Sequence, residues 1–148
     1  MNSFALLINT CFFIGKIPVA PGTFGSIFAL IAWYLFSFFS TQSIIILLIF
    51  IVVLSYYTIS ITLNHTNDKD PQYIVIDEAI GMWIALLAVY PNDFFSFFLA
   101  FILFRLLDIL KPSIIYRVQF FPGALGILFD DIIAGLITYL IITGIALI

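Results

Sequence analysis

Polar residues punctuate this chain, and long apolar runs fill the intervals between them. Residues 4–14 are apolar but too short to cross a bilayer, which takes roughly 20 apolar residues. They predict an interfacial or re-entrant segment, ended by Gly15, Pro18, Pro21 and Gly22. Residues 24–39 give a first, slightly short span, and the polar turn 40–43 follows it. Residues 44–63 form the clearest span, 20 residues without a charge. The segment 64–72 is polar and carries Asp68, Lys69, Asp70 and Pro71. Residues 80–90 are apolar and follow Asp77 and Glu78. Pro91, Asn92 and Asp93 make a turn, and residues 94–110 are apolar apart from Arg105 and Asp108. A mixed loop over 111–126 holds Pro112, Pro122, Gly123 and Gly126, and 132–148 is the last span. The pattern predicts an all-α polytopic membrane bundle: about five spans plus a short N-terminal interfacial or re-entrant helix, in one domain over residues 1–148. No internal repeat is visible.

Composition sharpens this. The 148 residues are 64% hydrophobic and 9% charged, against about 25% charged in soluble domains. The chain reads as an integral membrane protein. Its net charge of −3 offers no basic footprint for nucleic acid. Cys11 stands alone, which excludes an internal disulfide and a cysteine-rich metal site and suits a small buried hydrophobe. The first apolar run lacks a basic flank and a small-residue cleavage site, so no cleavable signal peptide is expected. Lys16, Lys69, Arg105, Lys111 and Arg117 avoid the turns at 40–43 and 91–93. Positive residues stay in the cytoplasm, which puts those two turns outside. Asp77-Glu78, the Arg105–Lys111 region, Asp130-Asp131 and the Pro21-Gly22-Thr23 loop then share the cytoplasmic face.

The acids carry the chemistry. Asp77, Glu78, Asp108, Asp130 and Asp131 abut apolar runs, where a charge is costly without a partner, a metal or a wet cavity. Asp77-Glu78 and Asp130-Asp131 each precede a span, so each pair could cap a helix N-terminus. Two adjacent carboxylates at each of two sites exceed what a cap needs, and a divalent cation relieves such repulsion. Asp108 lies near the C-terminal end of its helix, where the dipole disfavours an anion. Arg105 and Lys111 lie three residues to either side, so an Arg105–Asp108 ion pair accounts for part of its setting. Pro112 stops that helix, and Lys111 could meet helix carbonyls or a phosphate. Thr23 and Ser26 read as N-caps or, with Gly22 and Gly25, as an anion cradle; no Walker loop is formed. His65, Asp68, Lys69, Asp70 and Asp93 read as solvated loop residues. Gly81 and Gly135 read as close-packing positions, and Trp33 and Trp83 as packing or interface anchors.

Four segments in order then acquire a shared meaning. Pro21-Gly22-Thr23-Phe24-Gly25-Ser26, Ile74-Val75-Ile76-Asp77-Glu78-Ala79-Ile80-Gly81-Met82-Trp83, Phe104-Arg105-Leu106-Leu107-Asp108-Ile109-Leu110-Lys111-Pro112 and Gly126-Ile127-Leu128-Phe129-Asp130-Asp131-Ile132-Ile133-Ala134-Gly135 resemble the phosphatidylglycerophosphatase A family over nearly the whole chain. The resemblance implies a Mg²⁺-dependent lipid phosphatase of the bacterial inner membrane. It would convert phosphatidylglycerophosphate to phosphatidylglycerol and inorganic phosphate. The chain departs from the family where His-Gly-Gly is usual: Pro122, Gly123 and Ala124 stand there.

On this reading Asp77, Glu78, Asp130 and Asp131 hold Mg²⁺, and Asp108 is a further ligand or the base, the five acids forming the catalytic set. Arg105 and Lys111 bind phosphate, helped by Thr23 and Ser26. Phosphoryl transfer depends mainly on positioning and charge neutralisation, which this set could supply. The partners are the bilayer and a phospholipid whose tails stay in the membrane. The rival reading is a small transporter or channel subunit, because acids in spans also mark ion pathways. Apolar span centres weigh against it. A structural membrane subunit is the third class.

Overall fold

The computed structural model describes residues 3–36, 38–90 and 93–147. Among them are seven α-helices and no strand: α1 (Ser3–Asn9), α2 (Pro21–Phe36), α3 (Thr41–Leu63), α4 (Ile76–Leu86), α5 (Phe94–Leu110), α6 (Ile114–Val118) and α7 (Ala124–Ala146). The all-helical expectation holds. The expected turn at Pro91 and Asn92 lies outside the described residues.

Helix length divides the expected spans. α3 and α7 have 23 residues each and are long and apolar enough to cross a membrane. At 1.5 Å per residue each reaches about 34 Å. α2 and α5, with 16 and 17 residues, reach about 24–26 Å, and α4, with 11, about 16 Å. Two helices rather than five therefore meet the length of a span by themselves. The reason lies in α4. Beyond its acidic first turn it is apolar on every side, and a helix with no polar face belongs inside a bundle. Ala79 through Leu86 are all buried, packed among α2, α5 and α7.

Small residues set that packing. A methyl group on Gly81 would run into the Asp131 carbonyl and the Phe104 ring, and one on Gly135 would strike the Gly81 carbonyl. α4 and α7 thus touch backbone to backbone, as small residues on packed helices permit. On the other side of α4, Trp83 donates from its indole Nε1 to the Ala29 carbonyl at 2.9 Å and meets Trp33 edge-on at 5.8 Å. Both tryptophans pack in the core.

The N-terminal run forms a helix too short to cross by itself. α1 has seven residues, and left-handed Cys11, Phe12 and Phe13 turn the chain back into a 3-10 turn, Ile14–Lys16. Buried Asn9 anchors it. Its Nδ2 donates to Thr62 Oγ1 at 2.8 Å, Thr58 Oγ1 donates to its Oδ1 at 2.6 Å, and the Val75 N–H donates to its carbonyl at 2.8 Å. Cys11 is buried as expected, with Sγ 3.7 Å from the Val75 carbonyl.

One boundary and one loop residue differ from expectation. The last helix starts at Ala124, eight residues before the expected 132. Gly123, at φ 62° and ψ −139°, supplies a turn that only glycine adopts readily. Asp130 and Asp131 therefore lie inside a helix, not at its N-terminus. Asp93, expected to be a simple solvated charge, caps α5 by accepting from the Ser96 N–H at 3.0 Å.

Candidate active site

Eight charged side chains gather at one end of the bundle. The N-termini of α2 and α4, the C-terminus of α5 and the second turn of α7 surround a cleft of about 380 Å³. Six carboxylates line it, Asp70, Asp77, Glu78, Asp108, Asp130 and Asp131, with two cations, Arg105 and Lys111.

Each helix delivers its groups for a local reason. Asp77 and Glu78 occupy the first turn of α4, where the helix dipole favours anions. The N-cap is Val75, so no side chain caps this helix. Asp131 comes from α7, held close by the Gly81–Gly135 contact. Gly22 lets α2 approach: a methyl there would overlap Glu78 Oε1 and lie 3.4 Å from Arg105 Nη1. At the end of α5, Lys111 takes the left-handed conformation (φ 44°, ψ 57°), and its N–H donates to the Leu107 carbonyl at 2.8 Å. This closes the helix just before Pro112.

Two ion pairs organise the cleft. Arg105 Nη1 donates to Asp108 Oδ2 at 2.5 Å, the pair expected from their spacing, while its Nη2 lies 3.4 Å from Thr23 Oγ1. Lys111 Nζ donates to Asp130 Oδ2, also at 2.5 Å, and the other Asp130 oxygen accepts from the Asp131 N–H at 3.0 Å. Burial draws the Lys111 ammonium downward, but the hydrogen bond and charge of Asp130 more than offset this. Its pKa ends above the ordinary value, so it stays cationic at neutral pH.

The remaining acids are under-satisfied. Asp77 Oδ1, Glu78 Oε2 and Asp131 Oδ1 are buried without a hydrogen-bond partner, as is Arg105 Nε. One oxygen from each of Asp77, Glu78 and Asp131 lies within 4.8 Å of the others, a group that could hold a metal ion. Buried polar atoms without partners are costly, and a hard divalent cation taking oxygen ligands fits this donor set. Asp130, expected among the ligands, stands outside the group because Lys111 engages it.

Ser26 also departs from expectation. It is buried and its hydroxyl donates to the Gly22 carbonyl at 3.0 Å; neither it nor Thr23 lines the cleft, but Thr23 contacts Arg105 there. Asp70 and Gln72 do line it, although the sequence marks that segment only as a polar loop. Burial raises the Asp70 pKa, opposed by nearby Lys111 and aided by Asp68 and Asp108. The useful signal was the short distance in sequence from that loop to Asp77. His65 is exposed in the same loop, as expected.

Comparison with known proteins agrees with the geometry. The family model described as phosphatidylglycerophosphatase A matches residues 7–146. Phosphatidylglycerophosphatase A of Escherichia coli is 36% identical over 128 residues, 84% of this chain and 73% of that protein. The protein of the same name from Haemophilus influenzae is 31% identical over 133 residues, 88% of this chain and 82% of that protein. A Bacteroides thetaiotaomicron relative, provisionally named a phosphatidylinositol-3-phosphatase, is 34% identical over 147 residues, 93% of this chain and 90% of its own. No solved structure matches.

Proposed function

The chain belongs to the phosphatidylglycerophosphatase A family and is a phosphatase; we propose that it hydrolyses phosphatidylglycerophosphate to phosphatidylglycerol and inorganic phosphate with Mg²⁺. The observation that carries the proposal is one cleft holding three carboxylates, each with a buried oxygen that lacks a partner, beside an arginine and a lysine. That combination suits a phosphate monoester and its counter-ion.

Asp77, Glu78 and Asp131 would hold the ion, which when bound neutralises phosphate charge and makes water easier to deprotonate. Arg105 and Lys111 bind the phosphate oxygens, with Thr23 beside Arg105. Ser26 steadies the first turn of α2 and does not touch substrate. As phosphate engages Arg105, Asp108 is released from its ion pair and takes the proton from the attacking water. The water oxygen bonds to phosphorus, the ester P–O bond breaks, and the departing glycerol oxygen takes up the proton that Asp108 received, which restores the carboxylate.

The protein sits in the bacterial inner membrane with α3 and α7 crossing it, α2, α4 and α5 packed beside them, and the cleft facing the cytoplasm. The positive residues support that orientation. The lipid reaches the cleft sideways, its tails remaining in the bilayer. Carboxylates gathered at one end suit a phosphatase better than a conducting path, which needs polar groups at mid-depth.

The test is phosphate release by the purified protein in detergent, with and without Mg²⁺, across a panel that includes phosphatidylglycerophosphate and phosphatidylinositol 3-phosphate. Mg²⁺-dependent release preferring the former is expected. Preference for the inositol lipid would transfer the reading to the activity named for the Bacteroides relative. Ion flux in liposomes without any phosphate release would sink both.

A further inference from the structure

A second cavity has a different character. About 270 Å³ lie between α2 and α5, lined by Leu30, Tyr34, Phe94, Phe97, Phe98 and Phe101. Every one of these side chains is aromatic or aliphatic. The same two helices meet beside the cleft, where Gly22 and Thr23 approach Arg105. They run antiparallel from that end, so their seam leads from the phosphate groups to the aromatic groove. Along α2 the groove lies about 12–18 Å from Gly22, and along α5 about 6–17 Å from Arg105, at 1.5 Å per residue. Its near end, at Leu30 and Phe101, lies within one leaflet, half of a hydrocarbon core about 30 Å thick, and its far end, at Tyr34 and Phe94, reaches just past the midplane. Phe94 and Phe98 are 74% and 64% exposed at its mouth, so it opens sideways toward lipid.

We infer that this groove is a binding site for an acyl chain of the substrate whose phosphate occupies the cleft, an inference that rests on the lipid-phosphatase reading. A general lipid contact would need only a convex apolar face. Here a concavity lies on the same two helices that bring Thr23 beside Arg105, within reach of a long acyl chain attached to a headgroup in the cleft. The groove sets how the monoester is oriented: one chain held along the seam fixes the glycerol and points the terminal phosphate toward Arg105 and Lys111. Chain length should therefore enter kcat/KM through binding.

The test compares dipalmitoyl and dihexanoyl phosphatidylglycerophosphate in one detergent, for wild type, Leu30→Trp, which fills the groove, and Ile31→Trp, its lipid-facing neighbour outside it. Leu30→Trp is expected to lower kcat/KM on the long-chain lipid about tenfold, mainly through KM, with the short-chain lipid and Ile31→Trp unchanged. Equal loss on both lipids, or equal loss in Ile31→Trp, overturns the groove. Should Leu30→Trp fail to fold, a phosphatidylglycerophosphate carrying a mid-chain diazirine, photolysed with wild type in EDTA, decides. Label concentrated on α2 and α5 supports the groove, and label spread equally over α3 overturns it. Absence of hydrolysis of either lipid by wild type would instead strike the function reading, and the photolabel still judges the groove.

Discussion

Cavities of similar size lie at the two ends of the bundle, about 380 Å³ at the acidic cleft and about 410 Å³ at the far end. The far cavity is bounded by Trp33, Thr41, Leu87, Tyr90, Tyr139 and Thr143 among others, with no carboxylate, lysine or arginine. Both are framed by α2 and α7. Volume and parent helices are nearly shared, so the difference is charge. At the cleft, one buried oxygen of each of Asp77, Glu78 and Asp131 lacks a partner, and two cations stand beside them. At the far end the polar atoms are hydroxyls such as Thr143, which donates to the Tyr139 carbonyl at 2.9 Å. One end stores unsatisfied charge that a ligand can complete, and the other is already satisfied.

The sharpest way to break that contrast is to remove one carboxylate at each side of the metal group. Asp77→Asn and Asp131→Asn should each lower phosphate release roughly 10³-fold or more. In metal-free protein the same changes should raise thermal stability, by on the order of 1 kcal/mol, because crowded buried like charges are relieved. Tyr139→Phe at the far end should alter neither activity nor stability appreciably. Full activity in both carboxylate variants, measured as phosphate release, would end the assignment.

The ion pair at the end of α5 comes next. Lys111→Met should reduce activity roughly 10²-fold by removing phosphate binding. It should also cost about 3 kcal/mol, since Asp130 is left buried and unpaired. Lys111→Met combined with Asp130→Asn should regain most of the stability and none of the activity. Calorimetry beside a phosphate assay separates the two effects. Regained activity in the double variant would show that Lys111 serves Asp130 alone.

Much of this was legible in sequence because charges in an apolar chain are conspicuous. Asp77, Glu78, Asp108, Asp130, Asp131, Arg105 and Lys111 all reach one cleft. Their division of labour was not legible. Asp130 and Asp131 are neighbours in sequence, but α7 rotates successive residues by about 100°, which follows from 3.6 residues per turn. Asp131 meets Asp77 and Glu78, while Asp130 meets Lys111. A boundary placed at 132 concealed that rotation, because Gly123 starts the helix before the acids and an apolar run cannot reveal its own first turn. The buried state of α4 was also hidden. Its composition equals that of a span, and only its 11-residue length shows that protein rather than lipid covers it.

Backbone closeness differs along α7 as well, between its middle and its C-terminal end. Gly135 abuts the Gly81 carbonyl, whereas a methyl on Gly144 would meet nothing within 4 Å. Gly81→Ala should therefore cost about 1–3 kcal/mol by overpacking and lower kcat by shifting α7, and Asp131 with it, away from α4. Gly144→Ala should be neutral or stabilise by up to about 1 kcal/mol, since alanine favours helix. Denaturant midpoints and kcat for the two variants test this, and equal effects would mean that α4–α7 contact does not position the cleft.

The smallest effects concern two hydroxyls three residues apart in the first turns of α2. Thr23 Oγ1 lies 3.4 Å from the Arg105 guanidinium, while the Ser26 hydroxyl is spent on the Gly22 carbonyl inside its own helix. Thr23→Val should raise KM about tenfold, equivalent to about 1.4 kcal/mol, a reasonable value for one hydrogen bond to a charged partner. Ser26→Ala removes a back-bond that helices do without. It should leave kcat and KM within about threefold, because the Gly22 carbonyl keeps a helical partner and no cleft atom moves. Steady-state kinetics on the same lipid separates them. A larger KM change in Ser26→Ala than in Thr23→Val would place the serine on the phosphate after all, and would mean that α2 turns when substrate binds.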